Sequence, residues 1–386
     1  MTTFDVAIAG GGIIGTSIAL ELAEAGLGVV VLDRQEPGRE ASWAAAGMLS
    51  PGPDAPGAVP LVPLGKDGLR RYPEFVAHVE RLSGQRVPLA RNGTIELFFD
   101  KGAAAGDSAE AERAAMIKQY AALGLAIEPM TLDAARKLEP AIGAEPGAAA
   151  WLPDEATVEP RALVTAVIAA CKKRGVEFRA SQPVTALLRD GLACTGLVSG
   201  TEKFSARHVV VAAGGFTAGM ENAEADARGI ANFAPTHPVR GQMLALRNSK
   251  VHLTRVLRSE RAYLVPRLDG RLIAGSTLEN VGFDKTVTPE GLFKIRDGVR
   301  AMVPALVDSE IIETWAGLRP GTPDGLPIIG KTSVEGLIVA TGHYRNGVLL
   351  APATAAVVRD LIVKGKAGIN IEAYSPLRFS ERHAAA

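Results

Sequence analysis

Hydrophobic and polar positions change register early in this chain. Phe4–Ala9 is a short, mostly apolar run of strand length, after which Ile14, Ile18 and Leu22 recur at helical spacing on one face. Val29–Leu32 is a second apolar run, with Asp33 at its C-terminal end. The pattern predicts a β-α-β unit over residues 4–33, its helix entered through Gly10–Gly15 and closed near Gly26.

Further along, periodicity predicts helices over 67–83, 107–124, 160–174, 289–302 and 346–363. Strand-like runs fall at 94–99 (TIELFF), at VEFRA, through TALLRDGLACTGLVSG and at HVVVAAGGF. Between 235 and 315, GQMLALR, AYLVPRLDGRLIAGST and IIETWAGL read as a series of strands, and LIVAT at 337–341 as a last buried strand. Asp269-Gly270 supplies a hairpin turn, because that pair favours the positive backbone angles a tight turn needs. The proline-rich residues 51–65 predict a long loop or a domain crossing rather than regular structure.

The chain has 386 residues, enough for two domains, or one large one, with a substantial core. Lys+Arg and Asp+Glu both number 42, and a net charge of zero gives no support for nucleic acid or an anionic membrane as partner. No apolar run reaches the roughly 18 residues that a spanning helix needs, so no membrane span is expected. The N-terminus does not read as a signal peptide, and the expected location is cytoplasmic. Cys171 shares a helical stripe with Leu163 and Val167 and reads as a buried thiol. A disulfide framework or a cysteine metal site is not expected, and no metal is assigned.

Gly10-x-Gly12-x-x-Gly15 follows a strand and opens a helix. In such a turn Gly10 permits the tight bend, Gly12 lets backbone approach a pyrophosphate, and Gly15 lets helix and strand pack closely. The helix N-terminus offers unpaired N–H groups to that pyrophosphate, and Asp33 is placed to accept from ribose hydroxyls. Arg34 reads either as a partner for an adenine-side phosphate or as a solvated charge at the strand end. The fingerprint predicts a dinucleotide without choosing between NAD and FAD. Near the C-terminus, WAGLRPGTPDGLPIIG and GHYRNGVLLAPATA place Arg319 and Arg345 in glycine-rich, nearly charge-free surroundings. A guanidinium there calls for an anion, a carboxylate or a phosphate.

These two motifs, with ASWAAAGML at 41–49, resemble one family over essentially the whole chain. It is the FAD-dependent D-amino-acid oxidase family, closest to the bacterial glycine oxidases of thiamine biosynthesis. HVVVAAGGF resembles the strand end that approaches FAD in two-domain flavoproteins, here with Ala213 in place of a threonine and followed by Gly214. The resemblance implies a mixed α/β, two-domain flavoprotein. A discontinuous Rossmann-like FAD-binding domain would take residues 1–48, 159–220 and 316–370. A substrate domain on a mixed, mostly antiparallel sheet would take 49–158 and 221–315.

By the same resemblance Ile13, Ile14, Asp33, Arg34, Ala41, Ser42, Ala46, Gly47 and Met48 would line FAD, with Val184 of the QPV strand at its adenine end. His343, Tyr344, Arg345, Asn346, Gly347, Val348 and Leu349 would pass the flavin's pyrimidine edge. Arg319 matches the carboxylate-binding arginine, Tyr263 the tyrosine that meets the same carboxylate, and Arg345 a second arginine on the substrate side or a holder of the flavin loop. No general acid or base is assigned, and His343 reads as a loop histidine. The chemistry implied is oxidation of a small amino acid by hydride transfer to flavin, with O2 as final acceptor. FAD would be held non-covalently, since residues 315–356 contain no cysteine. An amine dehydrogenase with another electron acceptor and a non-catalytic flavin-binding partner are the competing readings, and a homo-oligomer is compatible with all of them. The chain departs from the family at Arg261, where a histidine is frequent, at Leu278, where a methionine packs on the substrate side, and in the proline-rich segment.

Overall fold

The structure, a computed structural model, describes residues 3–102, 108–191, 193–222 and 230–380. Strand Thr3–Ala9 pairs in parallel with Val29–Leu32 on one side and Glu202–Val211 on the other. Glu177–Arg179 extends the sheet beyond Val29–Leu32, and Leu337–Thr341 pairs in parallel with the end of Glu202–Val211. The first half of Glu202–Val211 pairs instead with the hairpin strand Ala193–Ser199. One strand thus joins a parallel, nucleotide-type core to an antiparallel hairpin.

Both faces of this core are covered, which explains why its strands read as apolar runs rather than alternating ones. Val6, Ile8, Val29 and Val31 pack under helices Ile13–Glu24, Pro160–Lys173 and Gly347–Val363. Ala7, Ala9, Val30 and Leu32 face the opposite side, with Phe204, Val209 and Val211. Cys171 is fully buried, as expected, and its thiol reaches the Thr16 carbonyl at 3.2 Å.

A second sheet has eight strands, from Glu310–Gly321 through His237–Arg247, Leu272–Gly275, Tyr263–Pro266, Val256–Arg258, Thr94–Phe98 and Ala148–Leu152 to Glu128–Met130. All pairs are antiparallel except Val256–Arg258 with Thr94–Phe98. Here side chains alternate. Leu244, Leu246, Leu264, Leu272 and Ala274 meet helix Pro289–Met302, while Met243, Ala245, Tyr263, Val265 and Ile273 point the other way. The second face looks toward the glycine turn of the first sheet.

Two expectations are corrected. The proline-rich stretch is not all loop: Pro56–Leu61 forms a 3₁₀ helix and Val62–Ser83 an α-helix starting five residues before the predicted 67. Pro56 and Pro63 sit in first turns, where a missing N–H costs nothing, so they open helices rather than break them. Val184 lies in the loop before strand Ala186–Asp190, not in a strand. A three-stranded sheet of Met48–Leu49, Ala156–Val158 and Leu89–Ala90 has strands too short for any periodicity to announce.

Candidate active site

One cavity of about 690 Å³ runs between the glycine turn of the first sheet and the inward face of the second. At one end, Gly10 has φ +105°, and a Cβ there would collide with the Ala212 carbonyl. A Cβ on Gly15 would strike the carbonyl of Gly10, so Gly15 serves helix–strand packing and does not face the cavity. Gly12 differs: a Cβ there would meet only the Ser42 hydroxyl, at 3.2 Å, and its open side faces the cavity. The Ile13 amide donates to Ser42 Oγ at 2.9 Å, while the helix has no side-chain cap of its own at Gly12. Asp33 accepts from the Gly11 and Gln35 amides at 2.7 and 3.0 Å, and burial raises its pKa above the usual 3.8. Arg34 lies 4.1 Å over the Phe216 ring, which stacks on Phe283.

At the other end the site is built from side chains. Arg319 stands on the long strand Glu310–Gly321, opposite Val239 and two residues from the Gly317–Gly241 pair. A Cβ on Gly241 would occupy the space of the Arg319 guanidinium, so that glycine makes the room. Arg319 Nη2 donates to Ser276 Oγ at 2.7 Å and Nη1 to the Thr277 carbonyl at 3.2 Å. Among the described residues no carboxylate lies within ion-pair reach of Arg319. Loss of bulk hydration is the main cause that lowers its pKa below the ordinary 12.5, though not enough to discharge a guanidinium. Tyr263 lines the same cavity and its hydroxyl points at Met243 Sδ, 3.0 Å away. A Cβ on Gly275 would clash with both.

Arg345 is an exposed residue at the cavity wall and pairs with Asp54 at 3.4 Å. Its neighbour Tyr344 has φ +47° and donates its amide to the Pro320 carbonyl at 3.0 Å. His343 is buried, its Nε2 3.1 Å from Thr354 Oγ1, and burial pushes its pKa down to about 3. It is therefore neutral at ordinary pH. Helix Gly347–Val363 begins without a side-chain cap, and Gly347 and Val348 face the cavity.

Every residue assigned to the site from sequence lines this cavity except Gly15 and Leu349. One helical step of about 100° past Val348 turns the Leu349 side chain into the core, against Gly65 and Gly68 of helix Val62–Ser83. The two departures at Arg261 and Leu278 also fall outside the lining: Arg261 covers Phe99 at 4.3 Å and Leu278 is exposed. Residues that sequence reasoning missed include Ser50, Asp54, Arg258, Phe216, Phe283 and Gly241. Only Gly241 left a signal, a glycine inside a strand pattern, which marks close approach.

FAD fits these residues. The open side of Gly12 and an uncapped helix N-terminus suit a pyrophosphate, Asp33 suits a ribose, and the cavity continues from there to Arg319. Comparison with known proteins agrees. The family model described as DAO, FAD dependent oxidoreductase, matches residues 5–361. Over 376 residues the chain is 31% identical to glycine oxidase of Pseudomonas aeruginosa, covering 96% of this chain and 98% of that protein. It is 36% identical over 385 residues to the bifunctional protein ThiO/ThiG of Synechocystis, covering 98% of this chain but 54% of that protein, so it spans about half of that relative. The crystal structure of glycine oxidase from Geobacillus kaustophilus matches with a TM-score of 0.89 at 27% identity, covering 98% of this chain and 99% of that one.

The chain belongs to the DAO family of FAD-dependent oxidoreductases, with that family's mixed α/β, two-domain fold. Within the family it is an oxidoreductase of the glycine oxidase-like kind. Among the described residues no helix is long and apolar enough to cross a membrane.

Proposed function

We propose that this protein oxidises glycine and related small amines, such as sarcosine and small D-amino acids, at the carbon beside a carboxylate. The products are an imine or 2-oxo acid, the released amine (ammonia from primary amino acids, methylamine from sarcosine) and, with O2 as acceptor, hydrogen peroxide. The observation that carries this reading is Arg319: a guanidinium in the cavity of the dinucleotide turn, with no carboxylate of its own in reach among the described residues. A planar, permanently charged fork in that setting suits a ligand carboxylate.

When bound, FAD supplies the two-electron acceptor. The chain's own residues orient the substrate. Arg319 takes the carboxylate, and Tyr263 turns its hydroxyl from Met243 Sδ, a weak acceptor, to the same carboxylate. Fixing one end of a small molecule in this way sets the direction of its Cα–H bond, which is catalysis by orientation. His343 is neutral and occupied with Thr354, which supports a mechanism without a histidine base. Both cysteines are buried away from the cavity lining, which supports non-covalent FAD. Arg345, tied to Asp54, belongs to the mouth on the substrate side. Residues 1–48, 159–220 and 322–370 form the FAD-binding unit and 49–158 and 221–321 the substrate unit; the expected boundary at 316 shifts because the whole Arg319 strand pairs within the second sheet.

Anaerobic mixing with glycine, sarcosine, D-alanine and D-proline tests the reading through bleaching of the flavin bands. Glycine or sarcosine should bleach them fastest, and readmitted air should restore them with peroxide formed. A glycine rate far below the other amines overturns the substrate assignment. No bleaching by any of them overturns the reaction.

A further inference from the structure

Ser50 lines the cavity, and its surroundings leave it only one way to bind a ligand. The register of the short sheet pairs Leu49 with Ala156, which sets Ser50 beside Glu155. The parallel register of Val256–Arg258 with Thr94–Phe98 sets Arg258 beside Glu96. Arg258 Nε donates to Glu96 Oε2 at 2.5 Å, and Nη2 donates to Glu155 Oε1 at 3.2 Å. Its Nη1 donates to Ser50 Oγ and to Glu155 Oε2, both at 3.0 Å. Ser50 Oγ is also hydrogen-bonded to Glu155 Oε1.

The direction of each bond follows from the inventory of donors and acceptors. A guanidinium only donates and a carboxylate only accepts, so the Ser50 proton goes to Glu155 and one Ser50 lone pair takes the Arg258 N–H. The second lone pair is what remains for the cavity. A hydroxyl held in this way can accept from a ligand N–H and cannot donate to a ligand oxygen. The cluster also sets two carboxyl groups, Glu96 and Glu155, against one guanidinium, and Asp54 stands close enough to be felt by Glu96 and by Arg319 alike. That balance does not repel a protonated amine.

We propose that Ser50, fixed by Glu155 and Arg258, receives the substrate nitrogen and is the amine-side counterpart of Arg319. The inference rests on the amine-oxidation reading above. Arg319 alone would accept any small carboxylic acid; an acceptor-only hydroxyl in the same cavity selects those that carry an N–H. Ser50 is thus a substrate-positioning residue, with Glu155 and Arg258 acting through it.

The test compares ligands with and without nitrogen on FAD-loaded protein. Ser50→Ala should raise the KM for glycine roughly tenfold, the scale of one lost hydrogen bond to a charged group. The dissociation constant of acetate, read from the flavin spectrum, should stay within about twofold on the same scale. Ser50→Thr, which keeps the hydroxyl, should restore most of the glycine affinity. Equal weakening of glycine and acetate by Ser50→Ala, or an unchanged glycine KM, overturns the inference while leaving amine oxidation intact. Wild-type protein that no amine in the panel reduces overturns both.

Discussion

The two ends of the cavity are made of different material. The dinucleotide end is mostly backbone: a left-handed glycine, an open glycine face, a helix terminus and one carboxylate. The end proposed to take the amine is mostly side chains, with Arg319, Tyr263 and Arg258 projected from strands of the second sheet and Ser50 set just past a short strand of the third. A backbone-built end depends on what is absent at a position, whereas a side-chain-built end depends on what is present and on the room left for it. The two ends should therefore fail in different ways.

The largest effect is expected at the first end. Gly12→Val fills the open face and should give protein purified without bound FAD and without activity, its far-UV circular dichroism unchanged. Bound FAD in that variant, seen as a flavin absorption spectrum, would mean that the turn does not meet the pyrophosphate. Next in size is the end that holds Arg319. Arg319→Ala should lower kcat/KM by roughly 2–4 kcal/mol of lost charge-assisted contact, with FAD retained. Gly241→Ala should approach the same loss without touching any charge, because it displaces the guanidinium. If either change released FAD, the two ends would not be separable.

A smaller effect concerns pH. His343 sits at about 3 in the fold against an ordinary 6.5, so the unfolded chain takes up the proton first as the pH falls. Its contribution to stability is full above about 6.5 and is lost progressively toward 3. Thermal melts across that window should show His343→Gln with a shallower decline of Tm than wild type; an equal slope would assign the acid sensitivity elsewhere. The smallest effect is expected at the mouth. Arg345→Gln removes an exposed, 3.4 Å pair with Asp54 and should cost stability no more than about 1 kcal/mol by denaturant titration.

The contrast between the ends also explains what could be read in advance. Gly10, Gly12, Gly15 and Asp33 are close in sequence, and their spacing follows from strand and helix geometry, so the dinucleotide end was visible in a local pattern. Arg319 was marked by its glycine-rich, nearly charge-free surroundings as a guanidinium in need of an anion, but its pairing with Tyr263 came only from the likeness of whole motifs. Ser50, Glu155, Glu96 and Arg258 meet through the register of strands two to five residues long, which no periodicity announces. Proline was misread around 51–65 because it was weighed as a breaker where it opens helices. Leu349 belongs to the same C-terminal motif, but helical twist turns its side chain inward, which the motif alone does not reveal.

The bond from the Tyr344 amide to the Pro320 carbonyl bears on which molecules the site can measure. Pro320 follows Arg319 directly, and Tyr344 stands just ahead of the helix whose first turn faces the cavity. One main-chain bond therefore sets the spacing between the strand backbone that carries Arg319 and that helix end. Such a gauge cannot be widened by repacking. Under the role proposed for Arg319, tolerance for ligand length belongs to that side chain and to the ligand, not to the distance between strand and helix.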